Sequence, residues 1–395
     1  MQIRRWMAVL VGLLLIAPPA SAGGKEGPKW FEKIKFKGDF RLRYEGLQHE
    51  GMFDDGRRDR FRLRYRFGFV ARVNDMITVG SELRSGDRLD PVSDNQTLGE
   101  GFSEKEVAFA QMYADFEFSD RFSLIAGKFS PKKLWHVSDM HIDDDVVTEG
   151  AMGRWSFGGN GGALEAVHAN VFVYALEESG SGSDAYAYGG QIYPVFASGE
   201  VNEFLVGLGY ETCSNPDVMA QLTIDKKIKG NKMTHFVDEN GNLISDFDVL
   251  NVFFQWKNER NKQWPVKVSA FYYDNTGAKG PGKDNDTAYF VRLQIGGYEN
   301  PGQMAFRLSR YYSEPDAIFY AWTQSDTTRS SNLDGYRFDY RVGLHSGGYL
   351  NFTWYHTDSE VTAYGGEEAA PQTASLSNFD DQSMDRWQAD YILKF

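Results

Sequence analysis

Along most of the chain, polar and apolar residues alternate one by one. This is the period of a β-strand, whose successive side chains point to opposite faces. The stretch RFRLRYRFGFVARV at residues 60–73 is the sharpest case. One face carries Phe61, Leu63, Tyr65, Phe67, Phe69 and Val73, and the other carries Arg60, Arg62, Arg64, Arg66 and Arg72. Such a strand divides an apolar medium from a charged, wet one. The two media are either a protein core and bulk water, or lipid and a water-filled lumen.

The same alternation, bounded by turn residues, predicts strands near 34–46, 58–73, 76–86, 105–118, 122–129, 150–157, 164–176, 185–196, 202–211, 247–258, 264–275, 287–298, 302–313, 333–345, 348–357 and 383–395. Most reach the roughly 9–11 residues that a tilted strand needs to cross a bilayer. Short links such as Asn74-Asp75, GGNGG at 158–162 and HSGG at 345–348 alternate with long ones, among them 85–104, 130–149, 212–246 and 357–385. That alternation predicts an all-β chain forming a transmembrane antiparallel up-and-down barrel of sixteen strands, with short turns at one end and long loops at the other. The link Thr212 to Asp246 is long enough to hold a further hairpin around DENGN, so eighteen strands is the second choice.

Energetics orients each strand in such a barrel. Arginine at the bilayer midplane of the lipid face costs roughly 2–4 kcal/mol, so the arginine face of 60–73 points inward. By the same rule Ile34, Phe36, Phe40, Leu42 and Tyr44 face out against Lys35, Lys37, Asp39, Arg41 and Arg43. Tyr336, Phe338, Tyr340 and Val342 face out against Arg337, Asp339 and Arg341, and Tyr289, Val291, Leu293 and Ile295 against Arg292 and Gln294. The phase of EVAFAQMYADFEF, residues 106–118, stays open.

Composition adds four points. Residues 1–22 read as an export signal: Arg4 and Arg5, an apolar run from Trp6 to Ile16, Pro18-Pro19 and the small-x-small site Ala20-Ser21-Ala22. The mean hydropathy of -0.48 is neutral on the membrane question, because only alternate barrel residues meet lipid. No linker or change of pattern divides residues 23–395, which read as one barrel domain. The single cysteine, Cys213, excludes an internal disulfide framework, and 55 acidic against 42 basic residues argue against nucleic acid as a partner.

The last strand, DRWQADYILKF, alternates Trp387, Ala389, Tyr391, Leu393 and a terminal Phe395 with Gln388, Asp390 and Lys394. Together with FKGDFRLRYEG, RFRLRYRFGF, AGKFSPKKLW leading to an acidic loop, EGAMGRWSF and the closing ILKF, it makes the chain resemble the "putative porin" family of Gram-negative outer membranes. The resemblance implies a passive, water-filled channel for small hydrophilic solutes or ions, exported to the outer membrane and in contact with its lipids and lipopolysaccharide. It implies that the barrel-assembly machinery recognises the terminal strand through Trp387, Tyr391, Leu393 and Phe395, and that the barrel is a homotrimer. In general porins the third external loop folds into the lumen, here the loop with Asp139, Asp143, Asp144, Asp145 and Glu149. Facing it would be a basic wall of Arg41, Arg43, Arg60, Arg62, Arg64 and Arg66.

Two other readings of those residues stand beside that one. The acidic loop is a solvated external loop and the arginines pair with neighbours such as Asp39, Glu45, Asp59 and Glu82; or it binds divalent cations that bridge lipopolysaccharide. His136, His141 and Asp143 to Asp145 have no fixed metal-ligand spacing, and no Ser/His/Asp set sits at convincing positions, so neither a metal, a cofactor nor a catalytic activity is expected. The alternatives are a barrel sheathing a partner such as a cytochrome in an electron conduit, for which the chain has no C-x-x-C-H of its own, an outer-membrane enzyme, or a soluble β-protein.

Overall fold

The computed structural model describes residues 30–49, 56–159, 162–180, 182–225, 227–238, 240–360 and 383–395; the export signal read at 1–22 lies outside them. Sixteen long strands follow one another: β1 (Ile34–His49), β2 (Arg57–Arg72), β3 (Ile77–Ser85), β4 (Val107–Ser119), β5 (Phe122–Phe129), β6 (Thr148–Gly158), β7 (Leu164–Glu177) and β8 (Ala185–Ser198). They continue as β9 (Asn202–Ser214), β10 (Asp248–Asn258), β11 (Val266–Asn275), β12 (Thr287–Gly296), β13 (Met304–Ser313), β14 (Leu333–His345), β15 (Gly348–Asp358) and β16 (Met384–Lys394). Each pairs antiparallel with its sequence neighbours, and β16 pairs with β1, which closes the sheet. The result is a closed barrel with no free edge. Where the sequence allowed a further hairpin between Thr212 and Asp246, a helix, α1 (Pro216–Ile224), and one bridge between Val237 and Leu243 occupy the link.

The C-terminal residue extends the closing ladder between β1 and β16. The Phe395 amide donates to the Gly38 carbonyl at 3.0 Å, and the Gly38 amide donates back at 2.7 Å. A Cβ on residue 38 would stand 2.7 Å from the Phe395 ring, so glycine is what lets the ring lie there.

The outward faces carry the apolar residues read from the alternation: Phe36, Leu42, Phe61, Tyr289, Val291, Leu293, Ile295, Tyr336 and Phe338 are all exposed. Outward aromatics gather at two levels. Tyr272, Tyr289 and Tyr312 are register partners on three successive strands near the long-loop end. Phe306, Tyr340 and Phe352 are partners in the same way toward the short-turn end. Two such girdles flank the apolar band of membrane barrels. The open phase of 106–118 has a cause: a β-bulge at Ala110 moves the register between Glu82 and Leu83. Val107 and Phe109 face out before it and Met112 after it, with Gln111 and Tyr113 buried inside. One extra residue inverts a two-residue period.

The inside is less uniformly polar than the alternation implies. Part of the inner wall is apolar and aromatic, with Tyr193 on β8, Phe253 on β10, Phe271 on β11, Phe290 on β12 and Tyr311 on β13 packed on the loop residues Met140, Ala317 and Ile318. At the long-loop end, α1 and residues 233–247 and 319–321 bury a second apolar cluster, including Met219, Leu222, Met233, Val237, Phe247 and Phe319. Two long links thus form a folded cap rather than free loops.

Candidate functional site

The β1–β2 register sets arginines directly against arginines: Arg41 faces Arg64, and Arg43 faces Arg62. Like charges at opposed positions repel, so the wall needs carboxylates within reach. Some come from its own strands. Glu45, fully buried, accepts from Arg60 at 2.6 Å and lies 3.6 Å from Arg62 and 3.7 Å from Arg43. Asp39 pairs with Arg64 at 2.6 Å and lies 3.8 Å from Arg66. On β16, Asp390 takes Arg43 at 2.7 Å.

The remainder arrives on three loops. From 86–106, Asp94 accepts from Arg66 at 2.7 Å and lies 3.3 Å from Arg84, while the Asn95 side chain accepts from Arg41. From 314–332, Asp326 takes Arg386 at 2.9 Å and Arg43 at 3.3 Å. From 130–147, Asp145 pairs with Arg66, and its backbone carbonyl accepts from Arg84 at 2.8 Å. Arg41 has no carboxylate within 4.0 Å among the described residues; its side-chain hydrogen bond goes to the Asn95 amide.

The 130–147 loop crosses the lumen. On the far side from Arg66, Asp139 accepts from Arg292 at 2.6 Å and lies 3.6 Å from Arg337. Between these anchors, Ser138 is bonded by the Tyr273 hydroxyl at 2.9 Å, and the Gln191 amide donates to the His136 carbonyl at 2.7 Å. Asp143 accepts from the backbone N–H of Ser325 at 2.7 Å and of Asp145 at 2.8 Å, joining this loop to 314–332. An acidic segment therefore lies inside the barrel between two arginine walls, one on β1 and β2 and one on β12 and β14.

Of the residues read from the sequence, Arg41, Arg43, Arg60, Arg62, Arg64, Arg66, Asp139, Asp143 and Asp145 meet in this arrangement. Two do not. Asp144 turns to Lys132 and is largely exposed, and Glu149 is the second residue of β6, paired with Lys128. Asp39, Glu45 and Glu82 do neutralise arginines, whereas Asp59 faces outward to Tyr44 and Arg57. Among the described residues no group of three or more metal-ligating side chains, His136 and His141 included, is placed to hold an ion. The sequence reading passed over Arg84, Asp94, Asp326 and Arg386 and did not group Arg292 with Arg337. Their only signal was a polar residue at an inward position or in a loop, which gives no partner.

Electrostatics separates the loop carboxyls. Asp139 is buried, which raises its pKa, but Arg292 and Arg337 outweigh that and hold it below the usual range. Asp143 is pushed well up by burial and by Asp145, against two backbone donors. Asp94 and Asp145 share Arg66. Burial and the Asp145 charge raise Asp94 to about 6, while Arg66, Arg64 and Arg41 overcome burial and bring Asp145 down to about 2. The pair thus sheds its last proton near pH 6, as coupled carboxyls do. The raised value favours folding fully below the ordinary carboxyl pKa of 3.8, and this contribution is lost as pH climbs through about 6. The same step adds one negative charge inside the lumen. Ion selectivity should therefore move toward cations between pH 5 and 7.5, read as a shift in reversal potential across a salt gradient, and Asp94→Asn should abolish most of that shift.

Residues 52–217 match the model of the "putative porin" family. The match runs from β2 to β9 and takes in the arginine strand and the acidic loop, as the sequence resemblance implied. OprB of Pseudomonas putida, in its high-pH structure, superposes with a TM-score of 0.54 at 13% identity, over 92% of this chain and 95% of that one. OmpF of Salmonella typhi, in complex with daunomycin, gives 0.51 at 9% identity, over 92% and 97%. These likenesses establish the porin-type fold. No curated protein matches the chain by sequence.

Proposed function

We propose that the protein is an outer-membrane porin, a channel for passive diffusion of small hydrophilic solutes or ions, whose constriction is the acidic 130–147 loop set against the arginine walls. The observation that carries this reading is the crossing of that loop, with Asp145 on Arg66 at one wall and Asp139 on Arg292 at the other. Fixed charges of opposite sign across a narrow lumen make a transverse field that orients water and polar solutes and penalises apolar ones. The export signal at 1–22, insertion through the terminal strand with Trp387, Tyr391, Leu393 and Phe395, contact with lipopolysaccharide and a homotrimeric state belong to the same proposal. The family match and the porin-type fold support it.

A sheath for a partner protein fits less well. The lumen such a partner would need is taken by Met140, Ala317 and Ile318, packed on the inner wall.

Liposome swelling tests the channel. Vesicles carrying the refolded barrel should swell in small neutral sugars at a rate that falls steeply with solute size. A folded barrel that admits none of them would overturn the reading.

A further inference from the structure

On the short-turn side of Arg292 and Arg337, the inner faces of β11 to β14 carry a row of polar side chains below the crossing loop. The register sets Lys267 on β11 opposite Gln294 on β12, and Gln294 opposite Arg307 on β13. Arg341 on β14 opposes Ala305, two residues from Arg307, so the two arginines are diagonal neighbours within reach of one another's long side chains. Tyr272, Leu293, Phe306 and Phe338, of the opposite parity, are exposed on the outer face, which turns these four residues into the lumen.

Counter-charge falls short here. Among the described residues, Arg292, Arg337 and Arg341 share two carboxylates, Asp139 and Asp339, and Arg341 lies 3.9 Å from the second. Arg307 has no carboxylate within 4.0 Å among them; its Nε and Nη2 both donate to the one side-chain oxygen of Gln294, at 3.3 and 3.0 Å. Lys267 has none either, since Glu259 beyond it pairs with Lys257 at 2.9 Å and Glu203 stands opposite that same Lys257. Five cations therefore share two carboxylates. Nor are the unanswered groups sealed off: Lys267 is exposed, and Gln294, Arg307 and Arg341 are half-buried. With its oxygen on Arg307, Gln294 has its amide nitrogen as a further donor.

We infer that this face of the lumen is a binding site for a small divalent oxyanion, of the dicarboxylate or phosphate class, centred on Arg307. A guanidinium presents two parallel N–H donors that match two oxygens of either group, a geometry that chloride does not use. Arg341 and Lys267, on either side, answer the second charge, and Gln294 adds a neutral donor. Charges of one sign between low-dielectric walls also raise the local concentration of counter-ions. The site lies on the proposed diffusion path, and its occupation does not require that path to conduct.

The test is calorimetric titration of the full barrel in nanodiscs of zwitterionic lipid, at low salt, with succinate and separately with inorganic phosphate. Saturable one-to-one binding of one or both is expected, and which of them binds identifies the anion's class; chloride should compete at least tenfold more weakly. Arg307→Gln should weaken binding tenfold or more, as the loss of a charged hydrogen bond implies. Arg307→Lys, which keeps the charge without the fork, should fall between it and wild type, as should Lys267→Gln. Arg57→Gln, which removes an exposed arginine paired with Asp59 on the outer face, should leave affinity within twofold. The gel shift between folded and unfolded forms certifies each barrel. No saturable binding of either anion, unchanged affinity in the Arg307 variants, or an equal loss in Arg57→Gln would each overturn the inference. Binding is read without current, so a barrel that conducts nothing and a barrel without this site give separate results.

Discussion

Glu45→Ala should lower barrel stability by about 3–5 kcal/mol, the usual loss when one partner of a buried ion pair is removed. Glu45 is fully buried and is the shared counter-charge of Arg60 and Arg62, with Gln388 donating to it from β16 at 3.1 Å. Arg43 would survive the change, because Asp390 and Asp326 remain. Arg60 and Arg62 have no such reserve among the described residues. Glu45→Gln keeps the shape and one acceptor and should lose less. Urea unfolding in lipid, followed by the gel shift between folded and unfolded forms, measures both. An alanine variant within about 0.5 kcal/mol of wild type would mean that water serves these arginines as well as Glu45 does.

The double variant Asp139→Asn, Asp145→Asn should have the largest functional effect. It removes the charge from both anchors of the crossing loop, leaves Arg292 without a carboxylate partner among the described residues, and takes one partner each from Arg66 and Arg337, which keep Asp94 and Asp339. Single-channel conductance should rise as the loop loosens, and selectivity should move toward anions. The barrel itself should persist, because its ladder of strand pairs does not pass through the loop. Unchanged conductance and selectivity would show that neither carboxylate holds the constriction.

The strands were legible because lipid enforces them. Each spanning segment must keep its outer face apolar and pair all its backbone groups, so Phe61 against Arg62 or Leu293 against Arg292 carries position as well as composition. The bulge at Ala110 was illegible because Val107, Phe109, Met112 and Tyr113 are apolar on both sides of the slip, and only pairing with β3 fixes it. The cap was missed for a different reason. Met219, Met233, Phe247 and Phe319 have no common period, and their density in two separate links becomes a core only when the barrel brings the links together. Candidate site residues were readable by sign and not by partner. Arg43 and Asp326 are 283 positions apart, and nothing local in either segment announces the other.

The central claim is that an arginine wall and a carboxylate-bearing loop together set the field in the lumen. The reversal potential of single channels in a salt gradient, compared between wild type and Arg62→Ala, Arg64→Ala, tests it most directly. Those changes leave Glu45, Asp39 and Asp145 with fewer cations around them, so selectivity should move toward cations, opposite to the Asp139→Asn, Asp145→Asn variant. Reversal potentials that coincide in folded, conducting barrels would contradict the account.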